Sequence, residues 1–236
     1  GIPTFSVPTN GMHDYVYGAG IAFEEIAKRF VTEKETRENY VKRIVNLLGI
    51  TPLDFGPISK VEELKKNLEQ YGWKIISTWA MGDTLEDLSN AGNAEVNLVV
   101  SSVGLRAARA LKEKYGTPYV IGTPYKEYAE RISEALEKRI QIPTLEDRGK
   151  ENSQGTGNSG KIITLIGESV TIGSLAAIIE RKYHYKTRIL CPLENAEGLL
   201  GEHDLKICGE EEMEEALKDA QIVVADPLYR PICPAE

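Results

Sequence analysis

The sequence predicts an α/β protein of repeated Rossmann-like parallel-sheet domains. Three observations carry that expectation. Val96–Val100 is apolar throughout, turns at Ser101-Ser102-Val103-Gly104 and enters a helix with Leu105, Ala108, Leu111 and Tyr115 on one face. An all-apolar strand feeding an amphipathic helix is the unit of a sheet covered on both sides. That helix stops at Tyr115-Gly116, where a left-handed cap is expected, and Pro118 prevents it resuming before the next strand. The alternation then restarts at Lys161, beyond a stretch too polar to build a core.

Taken in order, Ile2–Val7 reads as a strand ended by the turn Pro8-Thr9-Asn10-Gly11. A helix follows from about Asp14 to Val31, with Ile21, Ile26, Ala27 and Phe30 inward. Gly18 and Gly20 lie in its first turns, where they weaken the helix. Close packing on a neighbouring strand would account for them, and so would approach of a bulky ligand to the backbone. Glu33–Asn39 is a charged connector, and Tyr40–Leu48 a strand closed by Gly49 and Pro52. Ser59 and Glu62 have the spacing of a capping box at the start of a helix whose inner stripe is Val61, Leu64, Leu68 and Tyr71. Trp73–Trp79 is the next strand, and a turn at Gly82-Asp83 leads into a short helix before Val96.

After the strand Tyr119–Gly122, Pro124 opens a helix to about Ile140, with Ala129, Ile132, Ala135 and Leu136 inward. Gln141–Gly160 is expected to be a flexible linker, its second half nearly all small or polar. Beyond it come the strand Ile162–Ile166, a helix through Leu175, Ile178 and Ile179, and the strands Thr187–Leu190 and Leu205–Ile207. An acidic helix (Met213, Ala216, Leu217, Ala220) and the strand Gln221–Ala225 complete the set. The expected organisation is the tail of a truncated first domain over residues 1–35, a middle domain with a bridging helix over 36–140, the linker, and a third domain over 161–236 that is itself truncated. A start without methionine, directly in a strand-like run, fits a fragment of a longer protein.

The 236 residues suffice for one large domain or two ordinary ones, with an apolar fraction of 42%. A net charge of −8, with basic residues dispersed among acidic ones, argues against nucleic acid as a partner. No apolar run is long enough for a membrane span and no signal peptide is evident. Three cysteines without CxxC spacing fit a reducing, cytoplasmic setting.

Two stretches carry a resemblance. GDTLEDLSNAGNAEVNLVVSS followed by a helix ending KYGTPY resembles the middle domain of the nitrogenase component 1 family, the fold also described as chelatase-like. GMHDYVYGAGIAFEEIAKRF resembles the segment after the last cluster-ligating cysteine of that family's first domain, and AFEEIAKRF its beta-type subunit in particular. Asn46-Leu47-Leu48-Gly49 matches a further strand of the family. The resemblance implies an oxidoreductase subunit that scaffolds an iron–sulfur metallocluster and receives electrons from an ATP-dependent iron–sulfur reductase. It also implies assembly with a paired homologous subunit or as a homodimer. Gly11, His13, Tyr15 and Gly18 would then be cluster-proximal, with the cluster cysteines upstream of Gly1 and no cluster expected in this chain itself. Ser101 stands where the alpha-type subunit carries a cysteine ligand, and Ser101 and Ser102 would line a cavity. A serine is a far poorer iron ligand than a thiolate.

Other chemistry finds less support. Gly167–Ser174 follows a strand and opens a helix but lacks the lysine and spacing of a Walker motif, and Glu168 would repel an anion there; a helix start capped by Ser169 is the structural reading. Cys191 and Cys208 follow strands and are either small apolar residues or part of a cluster. His13 has no metal-ligand spacing with His184 or His203, and an exposed loop histidine is the simpler role for it. Asp83, Asp226 and Glu168 at strand ends are potential polar ligand contacts. Two small α/β domains joined by a helix also describe a non-catalytic receptor for a metal chelate or tetrapyrrole, and a regulatory subunit without a cluster is a third reading.

Overall fold

The computed structural model describes residues 4–32, 43–148, 161–194 and 198–234. They cluster into two compact units, residues 1–119 and 120–236, with the division falling after the first residue of the strand Tyr119–Ile121.

The first unit begins with α1 (Tyr15–Phe30), followed by β1 (Ile44–Leu48), α2 (Pro52–Phe55), α3 (Ile58–Glu69), β2 (Lys74–Ser77), α4 (Leu85–Asn90), β3 (Val96–Val99) and α5 (Leu105–Tyr115). With β4 (Tyr119–Ile121) the strands form a sheet of order β2-β1-β3-β4, in which β1 pairs in parallel with both β2 and β3. The chain leaves β1 in one direction and returns on its other side, so the strand order reverses between β1 and β3. A row of polar side chains crosses this otherwise apolar sheet. Asn46 lies opposite Asn97, and an irregularity between Val45 and Asn46 brings Ser77 opposite it on the other side. The Ser77 hydroxyl donates to Asn46 Oδ1 (2.7 Å), while Asn46 Nδ2 donates to Asn97 Oδ1 (2.8 Å) and to the Ala91 carbonyl (2.9 Å). All three side chains are buried.

Helix α1 packs against α5. Its last carbonyls, which no helical N–H reaches, are met from α5: Tyr115 donates to the Val31 carbonyl (2.6 Å) and Lys114 to that of Lys28 (3.1 Å). Asp14 caps its start, accepting from Tyr17 N (3.2 Å). The strand expected over Ile2–Val7 is not found in its described part: Thr4–Val7 is irregular, and Phe5 packs on Phe30 (5.9 Å between centroids) under Arg29. An aromatic contact with the end of α1 replaces sheet pairing there. The Ser59–Glu62 capping box is also absent, because the helix begins at Ile58 behind Pro57; a capping box forms at Thr84–Asp87, the start of α4. The 33–39 connector lies outside the described residues.

The second unit contains α6 (Ala129–Lys138), α7 (Pro143–Arg148), β5 (Ile162–Ile166), α8 (Ser169–Ile178), β6 (Lys186–Cys191), β7 (Leu205–Lys206), α9 (Glu210–Leu217) and β8 (Ile222–Val224). The order β7-β6-β5-β8 is parallel throughout. One face of the sheet packs Leu165 and Ile189 with Ala176 of α8, the other Ile166 and Leu190 with Met213 and Leu217 of α9. The linker expected over 141–160 is a helix in its first part, since α7 is Pro143–Arg148; residues 149–160 lie outside the described residues. Charge pairing explains α7. Asp147 accepts from Tyr128 (2.7 Å) and pairs with Arg131 (3.0 Å) and Arg181 (3.2 Å). Arg148 makes two bonds to Asp204 (2.7 and 2.8 Å). Composition suggests solvated residues here, but the fold gives each a buried partner.

Candidate functional site

Open α/β sheets bind ligands outside the carboxyl ends of their strands, where the strand order reverses. In the first unit that place lies between the ends of β1 and β3, and the chain closes it by backbone contact. Gly49 is left-handed (φ 98°), and a methyl there would fall 2.7 Å from the Ser101 carbonyl oxygen. A methyl on Gly104 would come within 2.4 Å of the Leu48 carbonyl. Only glycine fits either position. The Ser101 hydroxyl, fully buried, donates to the Gly49 carbonyl (2.6 Å), and the Gly104 N–H returns to the Ser101 carbonyl (3.0 Å). Ser101 is thus committed to a clamp between two loops. Ser102, also buried, begins the 3-10 turn Ser102–Gly104 that leads into α5.

The start of α1 stands beside this clamp. Gly20 faces the Val103 carbonyl and the Arg106 side chain, where a methyl would sit at 3.6 and 3.3 Å, so Gly20 is closely packed, but against a turn and the helix α5 and not against the strand expected. Among the described residues a methyl on Gly18 would meet Thr9 alone, at 3.8 Å, and one on Gly11 nothing within 4 Å. Arg106 connects the two helices: its guanidinium lies over Tyr17 (4.8 Å) and reaches Glu24 (3.4 Å). The hydrogen bond from Lys28, helped by Arg106 and opposed by burial, holds the Glu24 carboxyl below its usual range. His13 is exposed and stacks on Tyr17, with 3.9 Å between ring centres. Tyr15 donates to Asp54 of α2, whose other oxygen accepts from Thr51 (2.7 Å). The structure therefore places Tyr15 and Gly18 in the first turns of α1, with His13 and Gly11 on the exposed turn before it, while Gly20, further along α1, packs against the turn that holds Ser102.

The end of β2 adds a residue that sequence reading missed. Trp79 has a left-handed backbone (φ 68°), as does Met81 (φ 55°), and the loop is held by Asp83, which accepts from the N–H groups of Thr78 and Trp79 and from the Thr78 hydroxyl. Trp79 is 5% exposed, its indole meets the Phe23 ring edge-on at 6.1 Å, and its Nε1–H has no acceptor among the described residues. An unmet buried donor costs about 1–3 kcal/mol. In the sequence Trp79 reads as the last residue of a strand before the Gly82-Asp83 turn, and only Asp83 of this run stands out as a potential polar contact.

The other polar candidates are caps. Glu168 accepts from Val170 N (3.1 Å) and Thr171 N (2.9 Å) at the start of α8. A carboxylate, rather than Ser169, thus occupies the place a phosphate would take. Asp226 accepts from Leu228 N (2.9 Å). Cys191 is buried in the apolar core, Cys208 is exposed, and Cys233 packs against the other face of the sheet. Among the described residues no three His, Cys, Asp or Glu side chains are grouped to hold a metal ion. The described residues do not by themselves fit an iron–sulfur cluster, and Ser101 does not present its oxygen as a ligand.

The arrangement defines a class: parallel-sheet α/β units, the first with its carboxyl edge flanked by a preceding helix. The comparisons narrow it. The family model for nitrogenase component 1 type oxidoreductase matches residues 1–155, and the chain belongs to that family. The B-subunit of the light-independent protochlorophyllide reductase from Chlorobium phaeobacteroides (strain BS1) is 36% identical over 105 residues, which is 43% of this chain and 19% of the relative. The protein of the same description from Nostoc punctiforme (strain ATCC 29133 / PCC 73102) is 37% identical over 84 residues, 35% of this chain and 16% of the relative. Both matches span less than a fifth of the relatives' length. A solved structure described as nitrogenase Cp1 at pH 6.5 superposes on 93% of this chain and 56% of its own, with a TM-score of 0.56 and 18% identity, a likeness of fold. No helix among the described residues is long and apolar enough to cross a membrane.

Proposed function

We propose that the chain is part of an oxidoreductase subunit that walls in an iron–sulfur metallocluster and receives electrons from an ATP-dependent iron–sulfur reductase, working with a paired homologous subunit or as a homodimer. The observation that carries this reading is the family match over residues 1–155, which includes α1, the clamp and the whole of the first sheet. The cluster supplies the redox chemistry when bound; the polypeptide holds it, orients the substrate and sets the local field. In this reading the cluster ligands come from polypeptide other than these residues. Gly11, His13, Tyr15 and Gly18 then form the wall nearest the cluster. The Gly49–Ser101–Gly104 clamp keeps that wall and the sheet in register, with Ser102 at its rim. The receptor reading gains no support from the family match.

The test uses the full-length protein with its partner subunit and the reduced ATP-hydrolysing reductase. Loss of the reductase's reduced-cluster resonance only when ATP and this protein are both present is the expected result. A resonance that persists under those conditions contradicts the proposal.

A further inference from the structure

We infer that Trp79 is a ligand-binding donor, and that its indole N–H takes an acceptor oxygen, a carboxylate or carbonyl, carried on an apolar body. Three independent observations point there. Trp79 is buried to 5% exposure, yet its Nε1–H has no acceptor among the described residues, whereas a buried tryptophan N–H ordinarily has one. The residue lies two positions beyond the end of β2, on the carboxyl side of the sheet, where such sheets take ligands. Finally, its backbone is held in the left-handed region by Asp83, an arrangement that a bulky residue keeps only where its surroundings over-determine it.

The chemistry of the surroundings selects the ligand. Phe23 presents its ring to the indole edge-on, so the donor sits among aromatic carbon. Asp83 accepts from two backbone N–H groups and the Thr78 hydroxyl, so it takes up donors of the loop and supplies none for a ligand anion. One neutral donor beside an aromatic ring suits a single oxygen on an apolar molecule better than a phosphate, which calls for several donors or a cation. The inference concerns the polypeptide alone and does not depend on a cluster.

The experiment uses the 236-residue chain labelled with 15N in its tryptophan indoles, which give two resonances, from Trp73 and Trp79, assigned with Trp73→Phe. The probes are 1-naphthoate and 1-naphthylmethylammonium, which share an apolar body but differ in carrying an acceptor. The expected result is a saturable downfield shift of the Trp79 N–H with naphthoate, little change with the ammonium, and naphthoate affinity at least tenfold weaker in Trp79→Phe than in Trp73→Phe. A Trp79 resonance unmoved by naphthoate overturns the inference and assigns the donor to a buried water. Equal affinity in the two variants overturns it as well. Because no cluster or reductase is involved, failure here leaves the redox proposal to its own test.

Discussion

The smallest features of the site give the sharpest expectations. Ser101 occupies a position that resemblance associates with a metal ligand, but its hydroxyl serves a neighbouring carbonyl. Ser101→Ala strands the buried Gly49 carbonyl and should cost about 1–3 kcal/mol in urea unfolding. A cost near zero would mean that the clamp is not formed. The glycines separate in the same way. Gly18 sits in a helix with room for a methyl, so Gly18→Ala should stabilise the chain by about 0.5–1 kcal/mol. If the position faces a cluster, the same variant should lose activity in the full-length protein despite its greater stability, and unchanged activity would remove Gly18 from the site. Sequence alone could flag both glycines but not separate them, because what distinguishes Gly20 is Val103 and Arg106, which lie far along the chain.

At the level of elements, the alternation of strand and helix was legible wherever one face is continuously apolar. Val96–Val99 and the helix Leu105–Tyr115 fall where their pattern places them, and Gly116 adopts the left-handed cap (φ 71°). The failures share a cause. Local propensity suggested a strand before α1, a cap at Ser59 and a linker after Gln141, and in each case a distant or neighbouring partner decided otherwise. The Asn positions noted as motif letters are explained only by the sheet, where Asn46 ties Ser77 to Asn97. Asn46→Ala takes a bond from Ser77, Asn97 and the Ala91 carbonyl within the buried sheet and should cost about 2–4 kcal/mol, read from the denaturant midpoint. In the second unit the ion pairs predict a pH dependence. Burial opposes the charge of Asp204, but Arg148 and two backbone N–H groups outweigh it and keep its carboxyl below 3.8. Its stabilisation is therefore present at neutral pH and lost as pH falls through that lowered value. Burial pushes Glu180 above 4.5, so its contribution is present below 4.5 and lost as pH rises through the raised value. Denaturant midpoints measured across this range should flatten above pH 4.5 in Glu180→Gln, whereas Asp204→Asn should cost about 3 kcal/mol at pH 7 by taking the bidentate carboxylate from buried Arg148 and leaving it the longer contact with Glu180 (3.6 Å). A wild-type slope retained in Glu180→Gln would assign the effect elsewhere.

For the molecule as a whole, two parallel-sheet units are what the pattern of the sequence predicts, and the family match accounts for the first of them together with α1. The chemistry was less legible for a physical reason. In the proposed reading redox function belongs to a bound group, and residues around such a group are chosen for shape and field more than for a motif. The most direct measurement of the central proposal is iron and acid-labile sulfide per subunit in the full-length protein, purified without oxygen together with its partner. The account predicts stoichiometric iron and sulfide, unchanged when Cys191, Cys208 and Cys233 are each replaced by serine. Absence of iron from the assembled full-length protein, or its loss in any of those three variants, would contradict it.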